Sequence, residues 1–385
     1  MNSEIKDAFP LKNCRHFRHD RPCAPHKREG VECATCRSYD PQGIRILVLK
    51  FDATGDVLRS TCVLGPLKLK YPSSHIVWVT RAPAVPVLSN LIEIDEVLES
   101  NADTLARIMM EEFDLVIHPD ASPVSSAWAT AAKARERIGM FFDSAGQVKA
   151  TNPAAQAWLL IGQNDRLKRD NVATYQERIL AACELTVESS RILVRLTADE
   201  AAFGREFAQR RGLAGRSFVI GLNTGAGARW KYKKWTIEGY RSLIARLLQA
   251  YPNAGIVLLG EKGEQERNRT LADVDPIRVI DAGLHPMREF LAIVDQCEVV
   301  VTGDTLGLHA ALGLGKRVVA LFGPTSSAEV ELYGQGEKLI GDVPCLCCYL
   351  PDCDVRPTCM DSISVDTVFA AVARQIARVG TQSCS

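Results

Sequence analysis

Four stretches of the chain hold residues whose types and spacing suit chemistry on an anionic substrate. The first is KFDATGD (50–56). Gly55 permits a tight turn, and Asp56 opens the helical pattern that follows. A carboxylate there is stabilised by the helix dipole and free N–H groups, so Asp56 reads either as a cap or as a general base at a strand's carboxyl end. The fingerprint G-x-G-x-x-G is absent here. The second is NTGAGARWKYKKW (223–235). Thr224 and Gly225 let backbone N–H groups approach an anion, and Lys231, Lys233 and Lys234 add positive charge. A basic surface loop would look similar, but a glycine-rich turn followed by lysines and a helix start favours phosphate. The third is GDTLGLHAAL (303–312). Asp304 and Thr305 end a strand and a helix begins at once, so the N–H groups at Thr305, Leu306 and Gly307 suit a diphosphate. His309 reads as a ligand contact or as a packing residue. The fourth is GEKGE (260–264), where Glu261, Glu264 and Glu266 compete for a ribose contact of the kind acidic residues make in nucleotide-binding α/β domains.

Thirteen cysteines form the other candidate chemistry. Cys14, Cys23, Cys33 and Cys36 end in a C-x-x-C, with His16, His19 and His26 beside them. This suits tetrahedral thiolate coordination, and a polar segment of this length would gain from a metal staple. Zinc is the first choice, an iron–sulfur cluster the second, and free or disulfide-bonded thiols the alternative. In the second set Cys345 and Cys348 form a C-x-x-C that Cys353 and Cys359 would complete, leaving Cys347 over. A disulfide or simple packing competes with metal there. Cys62, Cys183, Cys297 and Cys384 stand alone and read as structural or inert.

Apolar runs alternating with helical patterns must position these loops. In the first half the strands fall at 44–50, 75–79, 94–98 and 114–118, with helical patterns at 56–70, 103–112 and 124–136. In the second half the strands fall at 218–222, 255–259, 299–302 and 317–322, with helices at 236–250, 264–272, 286–296 and 306–314. The alternation predicts two doubly wound α/β domains with a ligand in the cleft at the carboxyl ends of the strands. The expected division is a Cys-rich extension (1–43), a first domain (44–190), a linker (191–215), a second domain (216–344), and a Cys-rich segment with a final helix near 365–379 (345–385).

These motifs, in this order, resemble glycosyltransferase family 9, the ADP-heptose heptosyltransferases of bacterial lipopolysaccharide synthesis. The resemblance spans about residues 44–380. Its strongest parts are KFDATGDVLRST (50–61) and VTGDTLGLHAALGLGKRVVALFGPT (301–325), supported by GLNTGAGARWKYKKW (221–235). It implies a GT-B fold of two Rossmann-like domains, with the acceptor on the first, the ADP-sugar donor on the second, and a terminal helix returning to the first domain. It also implies inverting transfer without a catalytic metal. Asp56 takes the place of the family's base, Lys233 that of the lysine on the donor phosphates, and Thr224 and Gly225 that of the phosphate loop. Glu264 matches the ribose contact, and Asp304, Thr305 and His309 match the diphosphate segment. Here DTLGLH departs from the glycine that many members carry directly after the threonine, which leaves the roles of Leu306 and Gly307 open. Arg81, Lys133, Arg135 and Arg137 are candidates for an anionic acceptor such as a phosphorylated lipid A core; a solvated helical face is the competing reading of the last three.

Forty-six Lys plus Arg balance 46 Asp plus Glu, which argues against a dominant nucleic-acid role. Phe9, Phe17 and Tyr39 are the only aromatic residues among the basic ones in 1–43, which also argues against it. The N-terminus has no signal-peptide core and no run is long enough to span a bilayer, so a cytoplasmic protein is expected, with contact at the inner face of the inner membrane as a peripheral option. The partners expected are a nucleotide-sugar donor and a glycan or lipid-linked glycan acceptor. A nucleotide-sugar epimerase or hydrolase would use the same scaffold and is separated by donor consumption without acceptor.

Overall fold

A computed structural model of the chain describes residues 11–18, 20–227 and 231–382. Its core is two six-stranded sheets. The first holds β1 (Arg45–Leu49), β2 (His75–Thr80), β3 (Glu96–Glu99), β4 (Glu112–His118), β5 (Lys133–Phe142) and β6 (Val148–Ala150), in the order β3-β2-β1-β4-β5-β6. The second holds β7 (Val219–Asn223), β8 (Gly255–Leu259), β9 (Val279–Asp281), β10 (Val299–Gly303), β11 (Arg317–Phe322) and β12 (Gly336–Ile340), in the order β12-β11-β10-β7-β8-β9. All pairings are parallel except β5 with β6.

The central strands are apolar throughout because helices cover both faces of each sheet. Ile46, Leu47, Val48 and Leu49 are fully buried, and so are Val299, Val300 and Val301. Each sheet reverses its winding at one place, between β1 and β4 in the first and between β7 and β10 in the second. Loops that leave neighbouring strands there diverge to opposite faces and open a crevice. The Asp56, Asn223 and Asp304 loops all leave strands that flank these two points. One continuous apolar cluster runs from Ile46 and Trp78 in the first domain to Leu308 and Val300 in the second, so the domains share a packed interface. Residues 191–197 cross between them in extended form, and the helix Ala198–Arg210 then packs on the helix Met287–Val294 of the second domain.

Three expectations are corrected. The helical pattern at 124–136 ends at Ala131, and β5 starts at Lys133, because these residues extend the sheet from β4 in register with Glu112. The terminal helix Val365–Gln382 packs on the second domain, against β10, β11 and β12 and the helix Ile237–Ala250. Arg317 donates to Gln375 and Arg374 pairs with Glu337, so polar contacts fix it there as well as Val368, Ala371 and Val372. Strands β6, β9 and β12 were not foreseen; they are edge or short strands with little apolar pattern.

The N-terminal extension sits at the amino ends of the first sheet's strands, away from the crevice. Arg15 pairs with Asp95 and donates to Ser73 O at 2.7 Å, and the backbones of Cys14 and Pro41 pair in an isolated antiparallel bridge. Among the described residues no helix is long and apolar enough to cross a membrane. Cys62, Cys183 and Cys297 are buried, and burial raises all three thiols, Cys62 and Cys297 to about 12, so they are packing residues. Cys384 lies outside the described residues.

Candidate functional site

A cavity of about 1010 Å³ lies between the domains, and it gathers loops from both. From the first domain come Ala53 to Asp56, Arg59 and Pro83. From the second come Asn223, Gly225, Lys233, Glu264 and the Asp304–Gly307 segment with His309. The first turn of the helix Thr54–Ser60 packs against the first turn of the helix Leu306–Gly313, and a Cβ on Gly55 would lie 3.5 Å from Leu306 N and 3.6 Å from the His309 ring. Asp56 is therefore set opposite the start of the helix on the other domain. It is in the first turn of its own helix and its carboxylate pairs with Arg59 at 2.6 Å; no side chain caps that helix, so the capping reading is not what the structure shows.

The second-domain wall is an ordered polar network. Lys233 Nζ lies 2.9 Å from Asp304 Oδ2. Burial disfavours the Asp304 carboxylate, but Lys233, then His309 and Arg59, outweigh it and hold the group well below the usual range. Burial pushes His309 down to about 4, and Arg59 adds to the effect, so the ring is neutral near pH 7. Its Nδ1 is buried without a protein partner. Asn223 donates to Thr302 Oγ1 at 2.9 Å and to Thr305 Oγ1 at 2.8 Å, while its carbonyl accepts from Tyr240. This ties the end of β7 to the helix start at Thr305. Gly307 makes the tie possible: a Cβ there would meet Asn223 Nδ2 at 2.8 Å. Gly225 lies as close over Glu264, whose carboxyl carbon would be 2.7 Å from an added Cβ. Glu264 is buried, pairs with Lys234 at 2.6 Å and accepts from Glu261 N at 3.0 Å.

Most of the expected donor residues thus meet in one cavity: Gly225, Lys233, Glu264, Asp304, Thr305, Leu306, Gly307 and His309. Thr224 is the exception. Its hydroxyl donates to Asn268 Oδ1 and its N–H donates to Leu259 O, so it anchors the loop from within the domain and does not line the cavity. Residues 228–230 of the same loop lie outside the described residues.

The acceptor candidates separate. Arg81 is exposed at the carboxyl end of β2, two residues before cavity-lining Pro83. Lys133, Arg135 and Arg137 occupy the amino half of β5, at the opposite end of the sheet from the cavity. Arg135 pairs with Asp114 at 3.1 Å, and Arg137 donates to Ala132 O at 2.7 Å. They lie on a strand at the surface and do not line the cavity.

Among the described residues, neither cysteine set is gathered into a metal-binding cluster. Cys14, His16, Cys23, His26, Cys33 and Cys36 line a separate cavity of about 510 Å³; His19 lies outside the described residues. Burial pushes the Cys359 thiol up to about 11, with Cys348, Cys353 and Cys345 adding to it. Among the described residues, however, no three His, Cys, Asp or Glu side chains are grouped closely enough to hold an ion. The C-terminal Cys-rich segment nonetheless reaches the main cavity. Tyr349 lines it, with its N–H on Pro324 O at 2.9 Å and its hydroxyl accepting from Ser326 N at 3.1 Å.

Sequence reasoning missed Arg59, Asn223, Glu329 and Tyr349, and the apolar end of the cavity formed by Leu284, Met287, Phe290 and Ile293. Arg59 was legible, since it falls three residues after Asp56 on one helix face. Glu329 and Tyr349 come from irregular segments after β11 and β12, where nothing in the local pattern marks them.

A two-domain α/β protein with a helix start facing a carboxylate across a cleft has the architecture of a nucleotide-sugar transferase. The comparisons agree. Residues 104–353 match the model of glycosyltransferase family 9 (heptosyltransferase), and the chain belongs to that family and is a glycosyltransferase. It is 23% identical over 307 residues to lipooligosaccharide heptosyltransferase 2 of Haemophilus influenzae, covering 74% of this chain and 84% of that one. Its fold is similar to a family 9 glycosyltransferase from Veillonella parvula (TM-score 0.71, 18% identity, 87% of this chain and 98% of that one). It is also similar to ADP-heptose lps heptosyltransferase II of E. coli (TM-score 0.66, 17% identity, 88% and 100%).

Proposed function

We propose that the chain transfers a heptose from ADP-heptose to a hydroxyl of a lipopolysaccharide-core type glycan, with inversion at the anomeric carbon. The observation that carries this reading is the meeting of Asp56 from one domain with Lys233, Asp304 and His309 from the other in a single cavity. The names of the Haemophilus and E. coli relatives supply the sugar, the nucleotide and the class of acceptor.

The donor lies along the second-domain wall. Its base takes the apolar end at Leu284, Met287 and Phe290, its ribose faces Glu264, and its diphosphate faces Lys233 and the N–H groups of Leu306 and Gly307. A neutral His309 donates one N–H there without adding charge. Asp56 takes the proton of the acceptor hydroxyl as that oxygen bonds to the anomeric carbon. The bond from that carbon to the diphosphate oxygen breaks, and its electron pair leaves with ADP from the opposite face. Lys233 and the helix N–H groups stabilise that charge where it develops, which is commonly among the largest catalytic contributions. They supply the charge that a divalent ion supplies in some other transferases.

A thermal-shift panel tests the donor. ADP and ADP-heptose are expected to raise Tm, and UDP and GDP to leave it unchanged. A preference for UDP would remove the heptose reading and retain only the fold and family.

A further inference from the structure

Arg59 has no role in the scheme above, yet it occupies the centre of the junction between the domains. Its guanidinium is 2.6 Å from Asp56 Oδ1 and 3.8 Å above the Tyr175 ring. Tyr175 is itself fixed: its hydroxyl is 2.6 Å from Ser60 Oγ, Trp158 packs edge-on at 5.5 Å, and its N–H donates to Glu329 O of the second domain at 2.9 Å. The Arg59 side chain is 17% exposed, and its Nε is buried with no protein partner. It lines the cavity beside Asp304, His309 and Glu329. Burial disfavours its charge, but Asp56, Tyr175, Asp304 and Glu329 more than offset this, so it stays a cation with acidic groups of both domains in reach.

We propose that Arg59 is a positioning residue for the transfer: it holds the Asp56 carboxylate toward the acceptor and compensates charge as negative charge passes from Asp56 to the leaving diphosphate. This rests on the reading of Asp56 as the base. In the reaction Asp56 gains a proton and becomes neutral while the diphosphate oxygen gains an electron pair and a negative charge. The two ends lie on opposite domains, and Arg59 sits between them. A fixed cation there loses one partner as it gains the other, so it requires no reorganisation at the moment of transfer. Lys233 is placed differently, on the donor side alone, where its charge acts on the diphosphate with or without the base.

The experiment is a double-mutant cycle read by kcat, donor KM and ADP binding. Arg59→Gln is expected to lower kcat about 100-fold or more while the donor KM and the ADP Kd move less than about fivefold. Arg59→Lys, which keeps the charge but replaces the guanidinium fork with a single ammonium, is expected to recover about tenfold of that loss. In an Asp56→Asn background, Arg59→Gln is expected to cost less than about threefold more, because the two residues act as one unit. ADP binding by each variant reports that the cleft is folded. If Asp56→Asn is inactive but Arg59→Gln stays within about threefold of the parent, the Arg59 role is wrong and the base reading stands. If the losses multiply in full, or Arg59→Lys is no better than Arg59→Gln, the coupling is also wrong. If Asp56→Asn itself remains active, the underlying base reading fails.

Discussion

At the scale of single residues, the cavity contains two opposed ion pairs, Arg59 with Asp56 and Lys233 with Asp304, one from each domain. Their separate placement lets one carboxylate act on the acceptor while the other orients a lysine. Lys233→Ala is expected to lower kcat/KM for the donor about 100- to 1000-fold and to weaken ADP binding, checked by steady-state kinetics and calorimetry. It also leaves Asp304 buried without its strongest partner. The Asp56, Lys233 and Asp304 positions were legible because each follows an apolar strand and precedes a helix start, which fixes it at the carboxyl edge of a sheet. Thr224 passed the same test and faces inward instead. The local pattern places the loop but does not say which of two adjacent side chains turns toward the cavity.

At the scale of elements, Gly225 and Gly307 set how closely loops approach. Gly307→Ala places a Cβ 2.8 Å from Asn223 Nδ2. It is expected to loosen the tie to Thr305, destabilise by about 1–3 kcal/mol and weaken ADP binding, measured by denaturant unfolding and calorimetry. Strand β5 was misread because its first half, KARER, alternates charges without an apolar stripe and follows a true helix. It is a strand because β4 offers it a free edge, a tertiary fact that periodicity does not carry. The consequence is functional. Lys133, Arg135 and Arg137 lie away from the cavity, and the triple alanine variant is expected to keep acceptor kcat/KM within about twofold. A loss above about tenfold would show that they bind acceptor.

At the scale of the whole molecule, the two domains were legible in the alternation of strands and helices, and the cleft followed from where the sheets reverse. The destination of the terminal helix was not. Its apolar face fits either domain, and Gln375 meeting Arg317 decides the outcome only once the fold has formed. Two buried histidines also carry a pH dependence. His118 and His309 are buried, and burial lowers both from 6.5 to about 4. Unfolded chains take up protons on these groups that the folded protein refuses, so their contribution is full above about 6.5 and is lost as pH falls to about 4. Tm is expected to be level from pH 7 to 8 and to fall through that window. His309→Gln should flatten the fall, and an unchanged slope would mean that His309 is not buried neutral.

Asp56 facing the donor from the other domain is the centre of the proposed transfer. The direct measurement is turnover of ADP-heptose with an acceptor glycan by Asp56→Ala, alongside the ADP Kd of the same protein. The expected result is a loss of kcat of at least about 1000-fold with the ADP Kd within about threefold of the parent. Turnover within about tenfold of the parent would contradict it, since the cleft would then carry out the transfer without the carboxylate placed there to take the proton.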